Sequence, residues 1–118
     1  MELLISNLVI ASVYILAGII TLIFPPKEIN SLYGYRTARS MKSKEAWKAS
    51  NAYASKMAIL GGVDLLLLGL ILYWIGVKNE KIWGAITIIS VFSISIFIYL
   101  LTENYLKENF DEDGNPLS

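Results

Sequence analysis

The chain has no cysteine and no histidine among its 118 residues, and only 17% of them are Asp, Glu, Lys or Arg. The first two absences exclude disulfides, thiolate or imidazole metal sites, and nucleophilic chemistry that needs a cysteine or a histidine base. The low charge excludes an ordinary soluble domain, which averages about 25% charged residues. With 55% hydrophobic residues and a mean hydropathy of +0.54, the composition points to lipid as the solvent. No enzyme chemistry, cofactor or metal site is expected from what remains.

Long uncharged runs take the place of the missing residues. Residues 3–24 give 22 positions without a charge, and residues 82–102 give 21. Each is enough to cross a hydrocarbon core that needs about 20 helical residues. Residues 57–77 are interrupted only by Asp64, a cost of about 3 kcal/mol that the surrounding leucines offset. A backbone in lipid must satisfy its own hydrogen bonds and no strand-like alternation occurs, so the expected fold is an all-α membrane protein with three transmembrane helices. The first run carries Glu2 where a secretory signal has basic residues, and it is longer than the usual ~7–15 apolar positions, so it reads as an uncleaved span. Pro25-Pro26 end it, because neither can donate a backbone hydrogen bond.

Charge placement predicts the orientation. The loop 25–56 holds seven Lys and Arg (Lys27, Arg36, Arg39, Lys42, Lys44, Lys48, Lys56) against Glu28 and Glu45, a net +5. The positive-inside rule makes this loop cytoplasmic and the topology N-out, C-in. The four-residue connection at 78–81 makes the second and third spans an antiparallel hairpin. Ser55, Gly62, Gly69 and Gly76 recur every seven residues, a stripe of small residues that predicts close helix packing and gives the hairpin's close approach a basis. Gly76 also suits a plain helix C-cap. Thr87, Ser90, Ser93 and Ser95 are the hydroxyls with which the third span answers.

Asp64 lies about 10 Å along the helix from Met57 and, on ideal geometry, 200° around it from Gly62, outside the small-residue stripe. A carboxyl at that depth is expected to face protein or water and to have a partner. The candidates are Arg36 or Arg39 folding onto it, or hydroxyls of Ser6, Ser12 or Tyr14 on the first span. A proton relay is the sharper alternative.

The loop 25–56 is long for a connector and should contain structure. Ser40 or Ser43 can cap a helix that begins near Lys44 and runs towards the second span. As an interfacial helix it would set Trp47 and Tyr53 at the headgroup level, with lysine stems snorkelling to anionic lipid. Gly34 permits a tight or left-handed turn, and Tyr35 can anchor it. Arg36 offers a planar fork of donors that lysine cannot imitate. Thr37 and Ser40 can bond locally at the start of the helix. Two readings stand together here: a rigid turn stapled by Arg36, and a recognition site for a peptide, a lipid or a repressor.

Asn30, Gly34-Tyr35-Arg36-Thr37, Ser40, Trp47 and Asn51 form the pattern N-x3-G-Y-R-T-x2-S-x6-W-x3-N. It resembles the signature of the SdpI/YfhL family of bacterial membrane proteins. The resemblance implies an immunity or resistance role: protection of a cell against a membrane-active killing peptide, and in the best-known member retention of a transcriptional repressor at the membrane. That member carries additional N-terminal membrane segments, so this chain resembles a short form built around the signature. The implied partners are the bilayer with its anionic lipids, a toxin peptide or a cytoplasmic repressor, and a second copy of the chain. No nucleic-acid motif appears. Two other classes compete: a holin-like protein that permeabilises the membrane, and a small oligomeric transporter using Asp64.

The tail 103–118 carries five acidic residues against Lys107, a net −4. A contact with the basic loop is one expectation, and a solvated, partly disordered tail from Asp111 onward is the other. The run Asp111-Glu112-Asp113-Gly114-Asn115 has its glycine two positions early for a calcium loop and no closing glutamate, so it is not read as one.

Overall fold

A computed structural model describes residues 2–117; Met1 and Ser118, the last residue of the predicted tail, lie outside it. Three helices, α1 (Glu2–Ile23), α2 (Lys44–Trp74) and α3 (Glu80–Asn109), follow one another in a body of 51 × 24 × 22 Å. All three are long and apolar enough to cross a membrane. The two ends of the body are called here the loop end (residues 24–43 and the end of α3) and the hairpin end (the start of α1 and the α2–α3 turn).

The second helix begins where the sequence predicts. Ser43 caps it with its hydroxyl accepting from Ala46 N at 3.0 Å, and Lys44 is the first helical residue. It then runs unbroken for 31 residues, about 46 Å. The expected interfacial helix is therefore the first part of α2 itself. Once capped, the helix meets no proline and no glycine before Gly61, and nothing in Lys44 to Leu60 separates one segment from the next. Trp47 is corrected with it: only 1% exposed, it belongs to the packed interior and not to a headgroup belt. Tyr53 stacks on Tyr105 of α3 with ring centroids 4.5 Å apart and ring planes 13° from parallel, so its ring is held by a protein partner.

The stripe of small residues is real, but α1 uses it, correcting the expectation that it joins the hairpin. A Cβ on Gly62 would lie 2.5 Å from Ile15 Cγ1 and 2.8 Å from the Ala11 carbonyl, and one on Gly69 would strike the Asn7 side chain. From the facing helix, a Cβ on Gly18 would lie 2.6 Å from the Ser55 carbonyl. Seven-residue spacing identifies the face but not the partner that meets it. α1 packs along α2 far more extensively than α3 does, and α3 barely touches α1. Tyr14 makes one such contact, its hydroxyl lying 2.7 Å from Ser95 Oγ. Gly61, one residue off the stripe, is the glycine that faces α3, through Ile94.

Gly76 stands apart from the stripe and ends α2. At φ +81° it takes the left-handed position of a Schellman motif, with Val77 N donating to Leu72 O at 3.1 Å and Gly76 N to Tyr73 O at 3.2 Å. Trp83 closes the turn by donating its indole N–H to Val77 O at 2.6 Å. Leu4, Leu72 and Trp83 form the core of the hairpin end.

From Asp111 to Leu117 the tail is folded and not disordered. Helix α3 continues to Asn109, and the chain then hooks back, with Leu117 N donating to Asn109 O at 2.8 Å and Asp111 N to Asn115 O at 2.9 Å. Asp111 Oδ1 accepts from the backbone of Asp113 and Asn115, and these bonds hold its carboxyl below the usual range. The hook docks on the start of α2, where Ser43 Oγ donates to Gly114 O at 2.5 Å. A local turn satisfied by its own backbone outweighs the charge repulsion that suggested a solvated tail.

Candidate functional site

The site is the loop end, and its geometry starts with a glycine. Gly34 has φ +105°, a conformation L side chains rarely adopt, and a Cβ there would lie 2.5 Å from Asn51 Oδ1 and 2.7 Å from Pro26 Cγ. Glycine lets the loop turn against α2. Before the turn, Asn30 folds its side chain back, accepting from Leu32 N at 2.9 Å and Tyr33 N at 2.6 Å. Tyr33 donates to Phe24 O at 2.7 Å, which ties the turn to the end of α1.

Two residues on the first turns of α2 hold the loop from below. The indole N–H of Trp47 donates to Pro26 O at 2.6 Å. One turn later Asn51 accepts from Tyr35 N at 2.5 Å and donates to Trp47 O at 2.9 Å, with a longer bond of 3.3 Å to Tyr35 O. Spacing of four on a helix sets Trp47 and Asn51 one above the other, so that both meet the loop on one face.

A compact turn follows. Thr37 N donates to Ser40 Oγ at 2.8 Å, and Ser40 N donates to Thr37 Oγ1 at 3.2 Å. Ser40, fully buried, also faces the carbonyls of Tyr35 and Thr37 at 3.1 Å. This reciprocal pair fixes the chain between the loop and the α2 cap.

The third helix contributes a residue that the sequence reading did not single out. Glu103 Oε2 accepts from Tyr35 OH at 2.6 Å and from Thr37 Oγ1 at 2.9 Å. One carboxylate oxygen thus draws the Gly-Tyr-Arg-Thr segment onto α3. Its position, a single carboxylate just after an apolar span and on the same side as a polar loop, is the available signal; counted as the first charge of an acidic tail, it loses that meaning. The expected contact between tail and loop exists, made by this hydrogen-bonded carboxylate and by the Ser43–Gly114 bond and not by a general attraction of opposite charges.

Burial, the hydrogen bond to Glu103 and the charge of that carboxylate push the Tyr35 phenol well above its usual range. Because the folded value is raised, the docked phenol stabilises the fold up to the ordinary tyrosine value near pH 10, and that contribution is lost as pH rises further towards the folded value. Ultraviolet titration of wild type against Tyr35→Phe should accordingly show Tyr35 un-ionised near pH 10, and Glu103→Gln should bring its ionisation down. An ordinary Tyr35 titration in the wild type would show that the carboxylate does not engage it.

Arg36 is the signature residue that the network leaves out. It is exposed, and among the described residues its guanidinium has no hydrogen-bond partner. The turn is stapled by Trp47, Asn51, Ser40 and Glu103, which corrects the structural role expected for Arg36. The loop end therefore presents a rigid turn on which the signature's arginine is free and exposed, with the half-buried Arg39 guanidinium likewise without a hydrogen-bond partner among the described residues. Seven of the eight signature positions build it.

Asp64 is not part of this site. It is exposed on the side of α2 away from α1, lining the outer groove with Ser90, Ser93 and Phe97 of α3. None of the expected partners reaches it: Ser12 donates to Leu8 O and Tyr14 meets Ser95. The small residues of α2 bring α1 to the opposite face, which carries the first-span hydroxyls away from Asp64. The polar side chains that α1 does give to α2 are Asn7, buried and donating to Leu65 O at 2.8 Å over Gly69, and Thr21, whose hydroxyl lies 2.6 Å from Ser55 Oγ.

The SdpI/YfhL family profile matches residues 27–102, which include the loop, all of α2 and most of α3. The uncharacterized protein YfhL of Bacillus subtilis (strain 168) is 36% identical over 113 residues, covering 96% of each chain. No solved structure matches the chain. A signature of which seven positions build one turn, a profile match over residues 27–102 and similarity over nearly the whole length place this chain in the SdpI/YfhL protein family.

Proposed function

We propose that the chain is a multi-pass immunity protein of the bacterial cytoplasmic membrane, protecting the cell that makes it against a membrane-active killing peptide. The observation that carries this reading is the division of labour in the signature. The other signature residues build a rigid turn, and Arg36 stands free on it. An exposed planar fork on a fixed support suits recognition of a carboxylate, a phosphate or backbone carbonyls. The net +5 of the loop favours the cytoplasmic side for this face. In that orientation Arg36 meets anionic headgroups or a cytoplasmic regulator, and Glu103 couples it to a membrane helix. The role is binding, not catalysis.

The test is a challenge of cells carrying the wild-type gene or an empty vector with a panel of membrane-active peptides. Survival of the wild-type cells where the empty-vector cells die is the expected result. Equal sensitivity to every peptide overturns the reading, and lysis on induction without any peptide assigns the protein to the membrane-permeabilising class instead.

A further inference from the structure

We infer that the outer groove between α2 and α3 is the docking face for a membrane-inserted helical segment that carries a lysine or arginine at mid-bilayer depth, with Asp64 as its counter-charge. This rests on the reading above and identifies that segment with the killing peptide.

The depth of Asp64 comes first. It lies eight residues from Lys56 and ten from Trp74, about 12 Å and 15 Å along the helix, which is near the middle of a hydrocarbon core about 30 Å thick. An aspartate at a helix centre opposes insertion and ordinarily faces protein or water. Here it faces outward, in a groove. One depression of about 500 Å³ is bordered by Asp64, Ser90, Ser93 and Phe97, and a second of about 380 Å³ by Met57, Asp64, Ile94 and Phe97. Asp64, Ile94 and Phe97 border both, so the two depressions form one trough along the helix pair. From Met57 to Ile71 it follows α2 for 14 residues, about 21 Å, a length that suits another helix.

The walls are apolar apart from Asp64 and the two serines, and neither serine has a hydrogen-bond partner among the described residues. The trough therefore fits an elongated apolar occupant with one cationic group at the depth of Asp64. The lysines of α2 and α3 stand away from that depth. Lys56 is about 12 Å away along α2, and Lys81 and Lys107 lie 12 and 14 residues from Ser93, about 18 Å and 21 Å along α3. Nor does a second copy complement the face. Copies inserted in the same orientation and related by a two-fold axis would set Asp64 against Asp64, bringing like groups together. A cationic partner turns the same carboxylate from an insertion cost into a specific contact, stronger here than in water because the surroundings are of low dielectric.

The test uses full-length protein reconstituted in phosphatidylcholine–phosphatidylglycerol vesicles. The probe is a synthetic leucine-rich transmembrane peptide with a single central lysine and a fluorescent acceptor for the protein's tryptophans. Energy transfer should show association at least ~10-fold stronger with wild type than with Asp64→Asn, a difference of about 1.4 kcal/mol. A peptide with central leucine should not distinguish the two proteins, and Asp64→Lys should prefer a peptide with central glutamate. Equal binding of the lysine peptide to wild type and Asp64→Asn overturns the inference, as does Asp64-dependent association of the protein with itself in peptide-free vesicles. Cell survival separates this inference from the reading beneath it. Full protection by Asp64→Asn at wild-type protein level removes the docking face and leaves the immunity role standing. Failure of wild type to protect removes the immunity role, and the vesicle measurement then decides the docking face alone.

Discussion

Replacing Trp47 with alanine is expected to destabilise the protein by about 3–5 kcal/mol, the range for removing a buried aromatic ring. Trp47 is 1% exposed at the point where α2 meets the loop, and its indole N–H donates to Pro26 O at 2.6 Å. The alanine variant loses the packed ring and leaves the Pro26 carbonyl without its donor. Trp47→Phe keeps most of the ring and loses only the hydrogen bond, so it should cost about 1–3 kcal/mol. Denaturation in mixed micelles measures both. A cost below about 1 kcal/mol for Trp47→Ala would mean that the ring lies at a lipid or water interface, as its sequence context first suggests.

Gly62→Leu is the second large effect. A Cβ at this position already lies 2.8 Å from the Ala11 carbonyl. That oxygen belongs to the backbone of α1 and cannot step aside as a side chain can, so a leucine has to push the two helices apart. Overpacking costs about 1–3 kcal/mol and more where a backbone must move. The separation also loosens the Asn7 bond to Leu65 O one turn further along the seam. Gly84→Leu provides the contrast, because a Cβ there meets nothing within 4 Å. The same denaturation measurement should show a large loss for Gly62→Leu and little change for Gly84→Leu. Equal effects at the two positions would contradict the α1–α2 packing.

The three helices were legible because their causes are local. Uncharged runs of membrane length, the Pro25-Pro26 stop and the cap at Ser43 each act within a few residues, and α2 starts at Lys44 as those signals require. The small-residue stripe was legible as a face, while its partner was not, since helical periodicity carries no information about which helix arrives. Gly76 shows the same limit from the other side. It keeps the seven-residue spacing by position but serves the turn, where its φ of +81° and the Schellman bonds place it.

The candidate site divides in the same way. The eight signature residues could be read from the sequence, but their roles depend on contacts across the fold. Trp47 suits a headgroup belt and a core equally by composition, and only the approach of Pro26 decides between them. Glu103 is 66 residues from Thr37 and becomes part of the site when α3 brings it there. Arg36, the residue best suited by its chemistry to staple the turn, is released from that task by Asn51 and Ser40.

The central claim is that the signature separates into residues that build the turn and one that uses it. Alanine substitution at Gly34, Tyr35, Arg36, Thr37, Ser40, Trp47 and Asn51, with denaturation midpoint and survival under peptide challenge measured for each, tests this most directly. The account predicts that Arg36→Ala keeps wild-type stability within about 0.5 kcal/mol, as an exposed residue should, and loses protection. The other variants should lose stability and protection together. An Arg36→Ala protein that is destabilised as much as Trp47→Ala, or that protects as fully as wild type, would contradict it.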